Sequence, residues 1–168
     1  MRLTLSRKNR TGRFASLRWH VLKSMSAAFL VMTGTASHSP AATFDRATTN
    51  YLTHCGGCHG IEGIAARTFV PQLRDRVGVF TCSAEGRAYL GRVPGVSMSL
   101  IRGDQDLADV LNFVLFRMGG TSTPAGTQPY SAEEVHNLRA NPIETTNFME
   151  TRAMILQRAL ALCPRSGK

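Results

Sequence analysis

The sequence has no aspartate or glutamate before Asp45, and no apolar run approaching the ~20 residues that a membrane-spanning helix requires. There is little strand signal, and internal repeats and long low-complexity tracts are missing, which leaves mainly helices and loops as the material of the fold. The early lack of acids bears on the charge. Of the 20 Lys and Arg residues, seven lie before residue 24, and they account for most of the formal charge of +9. Once residues 1–42 are set aside, 13 basic residues face 11 acidic ones, a balance near +2. A nucleic-acid partner is therefore not expected.

Residues 1–42 instead carry the three parts of an export signal: a basic start, an apolar centre at Met25 to Met32, and a small-residue end. The centre is too short to span a bilayer, so no stable membrane span is expected. Cleavage after Ala36 or after Ala41 places small residues where the peptidase reads them; an uncleaved tail is the alternative. No arginine pair occurs in this leader, which favours the general secretory route and a periplasmic destination.

Beyond the leader, Phe44 to Thr53 reads as a short helix, and Ser83 as the cap of another through Leu90. The clearest helix runs from Asp104 to Met118, with Leu107, Val110, Leu111, Val114, Leu115 and Met118 at helical spacing. Acids at its start and Arg117 at its end complement the helix dipole, and Gly119-Gly120 ends it. Ser131-Ala-Glu-Glu134 is a capping box that opens a helix to Arg139. Thr146 to Leu162 reads as a last helix, with Phe148, Ile155, Ala159 and Leu162 as its buried stripe.

The most specific signal is Cys55-Gly-Gly-Cys58-His59. Two thiols separated by two residues reach the two vinyl groups of a porphyrin as thioethers, and the next residue presents its imidazole to the iron. Gly56 and Gly57 are expected to let this turn form without clashes. The same C-x-x-C could be a redox dithiol or half of a zinc site. A dithiol belongs in a strand–helix context, and zinc requires four ligands at matched spacings; the sequence offers neither. The reading is one covalent haem c on Cys55 and Cys58, ligated by His59.

Over roughly Phe44 to Gly120 the chain resembles the class I cytochromes c. Besides CGGCH, the likeness rests on Pro71-Gln-Leu73, on Met98 in a loop opened by Pro94, and on Leu107 to Leu115. The resemblance implies an all-α cytochrome c fold around one haem, with the Pro71 carbonyl accepting from His59. It also implies Met98 as sixth ligand and a closing helix that crosses the first. The expected organisation is an export signal at 1–42, a haem domain at 43–120, and a linker with a C-terminal helical appendage at 121–168. The appendage is not expected to be needed to enclose haem.

Alternatives for the sixth position are His136 and a vacant site. Met118, Met149 and Met154 lie on helices and read as core residues. Cys82 and Cys163 remain after haem attachment, and an oxidising compartment favours their disulfide over two thiols. With both axial sites filled, substrate has no place on the iron, which points to an electron carrier and not an enzyme. The expected partners are redox proteins, a dehydrogenase donor and an oxidase or other acceptor. A cytochrome subunit of a larger oxidoreductase and a small haem enzyme with an open sixth site stay as alternatives.

Overall fold

In the computed structural model the described residues are 44–66, 69–144 and 146–163; the expected leader at 1–42 lies outside them. The described residues contain helices and no strand, so this part of the chain is all-α as read from its sequence. Residues from Thr43 onward form one compact unit.

The local signals act where the sequence puts them. Helix α1 (Arg46–His54) begins at Asp45, whose carboxylate accepts from the Thr48 amide at 2.8 Å. Helix α2 (Gly56–His59) is the CGGCH turn itself. A 3₁₀ segment at Val77–Cys82 leads into α3 (Ala84–Arg92), capped by the Ser83 hydroxyl on the Gly86 amide. Pro94–Ser97, expected as loop, is a single helical turn (α4) with Pro94 at its first position, where a missing N–H costs nothing.

Helix α5 (Asp104–Phe113) runs on into a π turn at Val114–Met118, closed by the Gly119 amide on the Val114 carbonyl. This apolar face is the centre of the core: Leu107, Val110, Leu111, Leu115 and Met118 are all buried. It packs across α1, where Tyr51 is fully buried with its ring 5.4 Å from that of Phe113, and Arg46 pairs with Asp106.

Packing continues across Gly120. Helix α6 (Ala132–Arg139), capped by Ser131, carries Val135, which is fully buried in the same hydrophobic cluster as Tyr51 and Leu107; Tyr130 is buried there too. Two hydrogen bonds between the Asn112 side chain and the Tyr130 backbone pin this segment to α5. Arg87 completes the attachment. It makes a two-pronged pair with Glu134 at 2.6 and 2.7 Å, donates to the Gln128 and Pro129 carbonyls, and lies over the Tyr130 ring.

The last helix, α7 (Phe148–Leu162), packs mainly on the 3₁₀ segment and α3 through Ile155, Ala159 and Phe148. Cys163 at its end is joined to Cys82, with Cα atoms 4.9 Å apart, so the two cysteines form the expected disulfide. Three expectations for this helix are corrected. Leu162 is exposed and so drops from the stripe, while Met149 and Met154 are exposed and are not core residues. The helix meets the rest of the protein on the face of Phe148, Arg152, Ile155, Leu156 and Ala159, and Met149, Met154, Leu160 and Leu162 are exposed.

Candidate functional site

Helix α2 presents Cys55 and His59 to a cavity of about 320 Å³. Its walls are aliphatic: Leu107, Val110, Leu111, Val114 and Leu115 come from the closing helix, and Val93 to Val96 from the region of α4. His59 Nδ1 lies 2.9 Å from the Pro71 carbonyl. Because a carbonyl only accepts, this contact assigns the proton to Nδ1 and leaves the Nε2 lone pair free to bind a metal. Cys55 is partly buried, and burial, followed by the neighbouring Cys58, pushes its thiol pKa up; Cys58 is exposed.

The turn is held from beneath by Tyr51, whose hydroxyl donates to the Gly60 carbonyl at 2.6 Å, and whose pKa burial pushes up to about 12. The glycine requirement is not where the sequence placed it. Neither Gly56 nor Gly57 has positive φ, a Cβ at Gly57 would meet nothing, and one at Gly56 would make ordinary contacts. The demand falls on Gly60, with φ +80°, where a Cβ would collide with the Ile64 carbonyl as the chain turns away from CGGCH.

Three further observations bear on what the cavity holds. Among the described residues, no group of three or more His, Cys, Asp or Glu side chains is placed to hold a metal ion. Ser99 Oγ is buried with no hydrogen-bond partner, and Ser99 lines the cavity. Finally, no helix among the described residues is long and apolar enough to cross a membrane. An aliphatic slot with a Cys and a His at one wall, and a hydroxyl awaiting a partner, fits a flat apolar macrocycle with polar substituents.

Met98 stands apart. It caps α4, is 74% exposed, and does not line the cavity, although Val96 and Ser99 on either side of it do. His136, on α6, is exposed, paired with Asp104 at 2.9 Å, and absent from the cavity wall. The sequence reading missed Tyr130, Phe148 and Arg152, all of which line the cavity. No motif marks them, because their place depends on how α6 and α7 fold back.

Comparison with known proteins finds similarity to c-type cytochromes. The chain is similar to cytochrome c-552 of Thermus thermophilus, at 28% identity over 115 aligned positions that cover 58% of this chain and 88% of the relative. A second cytochrome c-552, from a further strain of the same species, matches at the same identity over 78% of its length. No protein-family model matches the chain, and no solved structure does.

Proposed function

We propose that this chain is an exported mono-haem cytochrome c that carries single electrons between redox proteins. The observation that carries the reading is the pairing of His59 with the Pro71 carbonyl beside Cys55, at the wall of an aliphatic cavity. Bound haem supplies the one-electron Fe(III)/Fe(II) couple. Cys55 and Cys58 would anchor it as thioethers, and His59 Nε2 would ligate the iron, its ring and tautomer fixed by the Pro71 hydrogen bond. The aliphatic walls from α5 exclude water and so favour the reduced, less charged iron.

Met98 is the proposed sixth ligand. Its thioether faces solvent between two cavity-lining residues, so ligation requires the turn at 96–99 to rotate inward when haem is held. The ferric protein is then expected to be low-spin, with the weak near-infrared sulfur-to-iron band, and Met98→Ala is expected to abolish that band and lower the potential. Retention of the band in Met98→Ala would show that another residue ligates. The periplasm is the proposed location, with a dehydrogenase as donor and an oxidase or other terminal acceptor. Purified periplasmic protein should have the mass of a chain beginning between Ser37 and Phe44 plus one haem, without Trp19.

One observation favours a second reading. The exposure of Met98 is what an iron with an open sixth site would leave, and such a protein would bind small gaseous ligands or peroxide. A high-spin ferric spectrum that shifts on adding cyanide or imidazole at low concentration selects this reading over the carrier.

A further inference from the structure

The cavity wall is aliphatic and aromatic with one exception in charge. Among the described residues that line it, Arg152 is the only Lys, Arg, Asp or Glu. It belongs to α7, the helix that the sequence leaves with no part in the site. Its guanidinium lies 5.4 Å from the centre of the Phe80 ring, which stacks on Tyr89, and Tyr89 stacks in turn on Phe148. Arg46, Arg74, Arg87, Arg139 and Arg158 each pair with a carboxylate; among the described residues none pairs with Arg152. A half-buried cation held over the Phe80 ring, on the wall of an apolar cavity, is poised for an anion that the cavity's occupant brings.

We propose that Arg152 is a cofactor-binding residue whose guanidinium pairs with a carboxylate of the haem, so that α7 forms one wall of the haem site. The proposal rests on the haem reading above. A protoporphyrin carries two propionates, and thioether attachment at Cys55 and Cys58 leaves them on the other side of the macrocycle. Arg152 reaches the cavity from a helix that packs mainly on the 3₁₀ segment and α3, not on the CGGCH turn. An ionised propionate against aliphatic and aromatic walls is strongly disfavoured without a partner, and a planar guanidinium is the side chain best suited to it. The Cys82–Cys163 disulfide and the contacts of Ile155 and Ala159 hold α7 in the place that delivers Arg152.

The test uses the haem-bearing, full-length protein and variants Arg152→Leu and Arg152→Lys, with the midpoint potential measured from pH 5 to pH 8. With Arg152 present, the paired propionate stays ionised throughout, and the potential is flat. In Arg152→Leu the unpaired propionate takes up a proton within this window, more readily when the iron is reduced. The potential therefore falls as pH rises, and Arg152→Lys restores most of the flat profile. In parallel, proton NMR of the wild type should show close contacts between the Arg152 side-chain N–H and the propionate methylenes, a readout that does not depend on any variant folding. A flat profile in Arg152→Leu, or the absence of those contacts, overturns the proposal and leaves the haem reading intact. Failure of the wild type to acquire the mass of one haem overturns both.

Discussion

Removing the Cys82–Cys163 bridge is the most direct perturbation of the unit formed by α7 and the 3₁₀ segment. The bridge spans 81 positions of sequence, so in the chain-entropy account its loss frees an unfolded loop worth about 4.5 kcal/mol at 25 °C. What else fastens α7 is modest: Ile155 and Ala159 are its two buried residues, and the Arg158–Glu85 pair is exposed and contributes at most ~1 kcal/mol. A double variant, Cys82→Ser/Cys163→Ser, should therefore lose most of the full value, or roughly 15–25 °C in Tm for a domain of this size. Cys55 and Cys58 are untouched by the exchange. Urea titrations followed separately by far-ultraviolet circular dichroism and by the Soret band would measure the loss. The entropic account also requires a larger m-value in the variant, because its denatured chain is freer and exposes more surface. A loss below about 1 kcal/mol with unchanged m, in a wild type shown to lack free Cys82 and Cys163 thiols, would refute the reasoning.

Arg87→Ala should destabilise by about 2–3 kcal/mol, less than a fully buried pair because Arg87 and Glu134 keep some solvent contact, and Arg87→Lys should recover only part since it cannot make both prongs; denaturant midpoints check this. Gly60→Ala should cost ~2 kcal/mol or more from its positive φ and the collision with Ile64, whereas Gly57→Ala should be neutral or stabilising, and equal effects at the two positions would refute the placement of the demand. Asp104 is held below the ordinary 3.8, first by its hydrogen bond from His136 and then by Arg139. Its folded pKa is depressed, so its contribution is complete above the unfolded value and is lost as pH falls through the folded one. The stability gap between wild type and Asp104→Asn should therefore be constant at pH 5–6 and close below about pH 4 in acid-denaturation curves.

The CGGCH turn, the caps and the helix from Asp104 were legible in the sequence because each is decided by neighbours within a few positions. Asp45, Ser83 and Ser131 cap the helices that follow them because a side-chain oxygen needs only the amides two or three residues on. The stripe from Leu107 to Met118 is buried as its spacing foretold, since an apolar face this wide must find a partner somewhere. Which partner it finds is not a local matter. Tertiary packing alone put Tyr130 and Val135 into the same cluster as Tyr51, exposed Met149 and Met154 on a helix that packs by one face, and turned Met98 outward between two residues that line the cavity. It also moved the glycine requirement from the motif to Gly60, because that demand comes from the Ile64 carbonyl on the returning chain. Arg152 reached the cavity wall in the same way: a helix far along the chain must first be anchored at Cys82, and no pattern in its own residues specifies where that anchoring points its side chains.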